Sequence, residues 1–276
     1  MSAGSGRGRG RGRGLLVAKS SEPAKPGAQG DVEARKSQES PVISATEVKE
    51  LEDYIQQLSL DIEEEHLDRI DTLTKESLKT EDDLKKITQV IYNRSLTDCD
   101  FGKTAACICD RLANVEVQGS KFRNTVLKLV QEDFKDKESL RKRNNKRYLG
   151  FFTFLCQIYN NMRLATGEPF KPLVGPIFDC LEMMLNQEPS TQDEFECLSA
   201  QVQSVGKDLE IQDPAKMTTL LELMRTKVIM DGLTAGKRCI LLELLEYTMR
   251  GWKQLPNDVT RFYLDSMVDI MAASIE

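Results

Sequence analysis

One stretch constrains the fold more than any other. It is Leu140 to Thr166, LRKRNNKRYLGFFTFLCQIYNNMRLAT, in which a basic run leads into an apolar-periodic segment. Tyr148, Phe151, Phe152, Leu155, Ile158, Tyr159 and Met162 recur at helical spacing, so they form one stripe. So wide and aromatic a stripe suits a central helix packed between neighbours. Ahead of it, Arg141, Lys142, Arg143, Lys146 and Arg147 put five cations into seven residues, and the helix is expected to run through them unbroken. The run is either a solvated surface or a docking site for something acidic, RNA phosphates or a protein surface. Repulsion among five like charges favours docking. Cations at a helix's amino end are electrostatically unfavourable, so the run does not serve helix stability.

The rest of the chain from Thr80 reads as helix after helix. Leu84, Ile87 and Ile91 begin the series, and Phe122, Val126, Leu129 and Val130 continue it. Pro172 opens a helix carrying Ile177, Leu181, Met184 and Leu185. Ser190 and Thr191 with Asp193 and Glu194 cap the next, and Asp213 before Pro214 starts another. Gly232 and Gly236 break the chain, Ile240 to Met249 resume it, and Pro256 opens a last helix. No segment sustains period-two alternation, so strands are not needed. About ten helices with short loops predict an all-α fold, a HEAT-like α-solenoid of stacked antiparallel helix pairs.

Charge divides the chain into three regions. Residues 1–43 hold eight basic and four acidic residues, 44–78 hold three and eleven, and the remainder is nearly balanced. The first fourteen residues, MSAGSGRGRGRGRG, have nothing to bury and are expected to be a disordered basic tail, followed by a linker to residue 43. Arg7, Arg9, Arg11 and Arg13 on a glycine backbone can contact phosphates, which favours weak, sequence-indifferent RNA binding over an inert solubilising role. Residues 44–78 read as an amphipathic leader helix and an acidic segment. Ser44 and Glu47 fit a capping box ahead of Val48, Leu51, Ile55, Leu58 and Ile62. Such a helix either lies on the first repeat, the favoured reading, or binds a partner or a second copy. Asp61, Glu63, Glu64 and Glu65 are a solvated face or a shield for the basic run. Residues 79–276 form the folded body.

Nothing in the chain assembles into a catalytic constellation. The single histidine, His66, stands among glutamates, and Cys107 and Cys109 are too close for a zinc knuckle. Most of the seven cysteines lie in apolar-periodic stretches and read as core thiols. GLTAGKR, Gly232 to Arg238, loosely matches a phosphate loop. It is one residue short between its glycines and lacks the hydroxyl residue after the lysine, so it reads as a loop between helices. No cofactor or metal is expected. No apolar run is long enough to span a bilayer, and Leu15, Leu16 and Val17 are too few for a secretory signal. The expected location is intracellular, in the cytoplasm and also the nucleus.

The body resembles the HEAT-type middle domain of eukaryotic translation initiation factor 4G, over about Thr80 to Leu255. The likeness rests on the basic run with YLGFFTFLCQIYNNMRL, on DEFECLSAQVQSVGKDLE from Asp193 to Glu210, and on KRCILLELLEYTMRGW from Lys237 to Trp252, in that order. SLTDCDFGKTAACICDRL, RGWKQLP and the Tyr263 region are most similar to the short members of the family, those acting with a histone stem-loop binding protein or the cap-binding complex. The resemblance implies stacked helical hairpins, no enzymatic activity and an adaptor role in mRNA translation. The implied partners are initiation factors, a DEAD-box helicase, mRNA or an mRNA-binding protein, and a second copy of the chain. Arg238, Arg250 and Trp252 belong to the late family-like helix, and a lone tryptophan reads as an anchor that packs the last repeats. The Arg-Gly tail lies outside the resemblance, and RNA contact through it is a separate expectation.

Overall fold

The computed structural model describes residues 41–164 and 166–273, with the side chains of 41–46 excepted. Arg7, Arg9, Arg11 and Arg13 lie outside the described residues, as does the linker that follows them. Twelve α-helices account for most of the described chain. They are α1 (Pro41–Gln57), α2 (Glu64–Ser77), α3 (Glu81–Thr97), α4 (Gly102–Leu112), α5 (Phe122–Lys135) and α6 (Lys137–Arg143), then α7 (Asn145–Asn161), α8 (Val174–Asn186), α9 (Gln192–Gln212), α10 (Pro214–Ile229), α11 (Ala235–Met249) and α12 (Asn257–Ala273).

Local chemistry sets most helix starts. Thr80 accepts from the Asp83 amide while the Asp83 carboxylate reaches back to the Thr80 amide, a reciprocal cap that opens α3. Thr191 and Glu194 do the same for α9, and Asp213 caps α10 with Pro214 at its first position. Two expected starts move. Helix α1 begins at Pro41, whose fixed φ suits a first turn, so Ser44 lies inside the helix. Pro172 sits in a 3-10 turn, Lys171–Leu173, and α8 follows from Val174.

One expectation about strands is corrected. Glu116–Val117 pairs antiparallel with Ser120–Lys121 across Gln118 and Gly119, both at positive φ. This is a two-residue hairpin turn, and its strands are too short to leave an alternating pattern in the sequence.

The helices stack as a solenoid. Helices α3, α7, α9 and α11 pack successively as one layer, while α5 covers α3, α8 covers α7 and α9, and α10 covers α9 and α11. Helix α7 lies at the centre and is buried on every side: beyond the predicted stripe, Leu149, Phe154 and Cys156 are also inside. Its close contact with α3 depends on Gly150, because a Cβ there would collide with the backbone of Leu96. Helix α1 is part of this core. Val48, Leu51 and Ile55 are buried in one cluster with the body, Ser77 donates to the Glu47 carbonyl at 2.9 Å, and the Arg94 guanidinium donates to the carbonyls of Ile55 and Leu58. The leader helix therefore lies on the first repeats, and residues 44–78 share one core with the residues that follow.

At the other end α12 packs on α11 through Tyr263, Val259, Met267 and Ile270. Of its other apolar residues, Phe262, Leu264, Val268 and Met271 are exposed. No helix among the described residues is long and apolar enough to cross a membrane.

Candidate partner and RNA interface

The basic run does not continue unbroken into the aromatic helix. Asn144 interrupts it, closing α6 and capping α7 by accepting the Arg147 amide at 3.0 Å. This corrects two expectations. The run is divided between two helices, and Arg141, Lys142 and Arg143 occupy not an amino end but the last turn of α6, where the dipole favours cations. Helix stability is thus one reason for these charges.

The five cations have different fates. Arg141 is 6% exposed and points inward. Its Nε and Nη2 donate to the two carboxylate oxygens of Glu194 at 2.6 and 2.9 Å, and Nη2 also reaches the carbonyls of Gln187 and Pro189. Glu194, 1% exposed, holds the guanidinium charged and pushes its pKa above the ordinary range. Arg141 is therefore not presented to a partner, a correction to its place in the candidate site. Arg147 is half-buried, 3.5 Å from Asp133, whose carboxylate also accepts from the Tyr92 hydroxyl at 2.8 Å. Arg143 is exposed and pairs with Asp136 at 3.2 Å. Lys142 and Lys146 are exposed, with no ion pair among the described residues. The surface run is therefore Lys142, Arg143 and Lys146, with Arg147 at its edge.

The acidic stretch has its own partner. Arg111 of α4 reaches Glu64 at 2.7 Å and Asp71 at 2.6 Å, and also pairs with Asp68. Of the acidic cluster, Glu64 thus helps tie α2 to α4, while Asp61, Glu63 and Glu65 are exposed, as a solvated face. His66 accepts the Glu63 amide at 3.1 Å and helps close the start of α2. In the glycine-flanked segment, Thr234 caps α11, and Lys237 donates to the carbonyl and hydroxyl of Ser190 at 2.7 and 3.0 Å. That lysine joins the starts of α9 and α11 and does not face a phosphate cradle.

Trp252 packs the last repeats, as expected. Its ring covers Gly206 so closely that a Cβ there would overlap it, its Nε1 donates to Glu210 at 2.6 Å, and Tyr247 meets it edge-on. Arg250 stays near the surface, paired with Glu246 within α11's end. Burial raises the thiols of Cys109, Cys156 and Cys180 well above their ordinary range, so they behave as apolar core groups. Cys99, Cys107 and Cys197 are half-buried.

A solenoid whose polar clusters are consumed by helix caps and inter-helix ties, leaving a cationic edge at one bend, defines a helical-repeat binding scaffold. The chain belongs to the MIF4G domain family, whose model matches residues 49–235. It is 38% identical over 187 residues to a CBP80/20-dependent translation initiation factor of Xenopus tropicalis, a match covering 68% of this chain and 32% of that protein. The chain thus matches about a third of that relative's length. It is 32% identical over 205 residues to a human MIF4G domain-containing protein, covering 70% of this chain and 92% of that protein. A MIF4G domain-containing protein B of Danio rerio is 31% identical over 192 residues, 68% of this chain and 86% of that one. The match begins inside α1, in accord with a leader helix that shares the core.

Proposed function

We propose that this chain is a non-enzymatic adaptor in mRNA translation, joining initiation factors, a DEAD-box helicase or both to mRNA ribonucleoproteins. Family membership together with the relative named as a translation initiation factor carries this reading. The cationic edge of Lys142, Arg143 and Lys146 supports it, since exposed cations, of which only Arg143 has an ion pair among the described residues, suit RNA phosphates or an acidic protein surface. The adaptor works in the cytoplasm and also the nucleus. Self-association would use the outer apolar side of α12, where Leu264 and Val268 lie one helical turn apart.

The deciding experiment is a pull-down from cell extract with the full chain, with and without ribonuclease. Initiation factors or a DEAD-box helicase retained after nuclease support direct protein contact; their loss with the RNA would end the protein-adaptor reading. A helicase ATPase assay with and without the chain separates a passive tether from an activator. Sedimentation of Leu264→Glu/Val268→Glu beside the unaltered chain tests self-association: a dimer that persists in the variant rules out the α12 side.

A further inference from the structure

Three polar side chains meet at the connection between α8 and α9. The Ser190 hydroxyl donates to the Glu188 carboxylate at 3.3 Å and accepts from the Lys237 ammonium at 3.0 Å, and that ammonium also reaches the Ser190 carbonyl at 2.7 Å. Glu188 is exposed, while Ser190 and Lys237 are half-buried. Lys237 stands 5.5 Å from the centre of the Phe195 ring and forms no ion pair among the described residues. A cation taken partly out of water and answered by a carbonyl and a hydroxyl lacks the stronger, charge-assisted bond that an anion would give it. The surroundings have the same sign. The first turns of α9 and α11 meet here, since a Cβ on Gly236 would come within 3.0 Å of the Gln192 side chain, and both are amino ends.

The sequence supplies a way to bring the negative charge. Ser190 is followed by Asp193 at the third position and Glu196 at the sixth, both exposed. Acidic residues after a hydroxyl are the charge pattern by which acid-directed protein kinases select substrates. The connection from Gln187 to Thr191 is non-helical, and Pro189 and Thr191 beside the serine are exposed, so the hydroxyl stands on a surface loop. Thr80, Thr97 and Thr191 share the spacing but lack the receiver. A phosphate on Thr80 would lie against the Asp83 carboxylate of its own cap, and one on Thr97 would stand at the carboxyl end of α3, against the dipole. The acid that follows Thr191 at the third position is Glu194, buried with Arg141.

We propose that Ser190 is a phosphorylation site of an acid-directed kinase and that Lys237 receives the phosphate. In the transfer, Ser190 Oγ forms a bond to the γ-phosphorus of ATP as the bond to the departing ADP oxygen breaks, and the hydroxyl proton passes to solvent. Exposed Glu188 turns out into water, and the dianion takes its place beside Lys237 and the two helix starts. A charge-assisted contact then replaces a neutral one between the last repeats. The modification does not depend on the adaptor reading.

The test uses the full chain, casein kinase II and ATP, with phosphopeptide mapping by mass spectrometry. Phosphate on Ser190, lost in Ser190→Ala, is expected. Phosphorus NMR of the product then reads the second ionisation of the phosphoserine. It is expected about one pH unit below its ordinary value of about 6, and back at that value in Lys237→Gln. Should that variant lose its helicity, the titration of the unaltered phosphoprotein decides alone. No phosphate, phosphate on Thr191 and not on Ser190, or a second ionisation at its ordinary value or above would overturn the proposal. So would a lowered value that survives Lys237→Gln in a folded chain.

Discussion

Arg141 and Glu194 form a bidentate ion pair inside the solenoid, joining the last turn of α6 to the first turn of α9. Glu194 has a second task, since the oxygen that meets Nη2 of Arg141 also accepts the Thr191 amide and completes the α9 cap. Two charges removed from water are tolerable here because Nη2 also donates to the carbonyls of Gln187 and Pro189 and the carboxylate also accepts in the cap. A residue that reads as surface charge in sequence is thus a staple between repeats.

Removing one partner is expected to be costly. Arg141→Ala or Glu194→Ala leaves an uncompensated buried charge and should destabilise the fold by about 3–5 kcal/mol. The double change Arg141→Met/Glu194→Leu should recover much of that loss. Urea denaturation of the four proteins checks this. Equal, small losses in the single variants would show that the pair is solvated.

The exposed cations should behave in the opposite way. Lys142→Glu/Arg143→Glu/Lys146→Glu is expected to keep the fold while losing about 1–2 kcal/mol, because two cations in the last turn of α6 are reversed against the helix dipole. The same variant should lose binding to RNA or an acidic partner. Binding retained at moderate salt would place the interface elsewhere.

How much of this was legible in the sequence follows from which groups report on their own surroundings. The buried stripe of Tyr148, Phe151 and Leu155, the reciprocal cap of Thr191 with Glu194 and the Asp213–Pro214 start are local patterns, and each stands where its spacing predicted. Asn144 was harder to read, because a single polar residue between two helical runs looks like a helix surface position until its side chain is seen capping Arg147. The direction in which Arg141 points depends on Glu194, which lies 53 positions along the chain, so no window of sequence contains it. The contact of Lys237 with Ser190 escapes for the same reason, since the two lie 47 positions apart. The Gln118–Gly119 turn left a usable signal in its glycine, but strands of two residues gave no periodicity to support it.

Residues 1–40 precede α1, so their removal leaves α1 whole. If Arg7, Arg9, Arg11 and Arg13 contact phosphates, their loss should reduce the slope of log affinity against log salt for single-stranded RNA by up to about 3. Filter binding across a salt series measures it. An unchanged slope would assign the tail no role in RNA contact.

Trp252 is the chain's single tryptophan, so its emission reports the packing of α9 against the end of α11 without interference. It sits at φ 63°, a left-handed conformation costing about 1–3 kcal/mol in a bulky residue, held in place by the Gly206 contact and the Glu210 bond. Gly206→Ala should expel the ring, shift its native emission to the red and lower stability by about 1–3 kcal/mol. A native spectrum unaltered by the added methyl would refute the contact.

The buried thiols should make stability fall at alkaline pH. Burial pushes the Cys180 thiol up to about 12 and that of Cys197 up to about 11, and holds Cys109 and Cys156 above their ordinary value, which lies near 9. In the unfolded chain these groups ionise as pH rises through about 9, while the folded chain keeps its protons, so the folded state binds more protons there. The sign follows directly: the contribution is fully present below pH 9 and declines as pH climbs toward the folded values. Each such thiol should remove up to about 1.4 kcal/mol per pH unit in that window. Melting temperatures measured by circular dichroism should therefore be level from pH 7 to 8 and fall steeply by pH 10, with a shallower fall in Cys180→Ala. A flat profile through pH 10 would mean that the thiols ionise as readily folded as unfolded, which the packing around α7 and α8 does not permit.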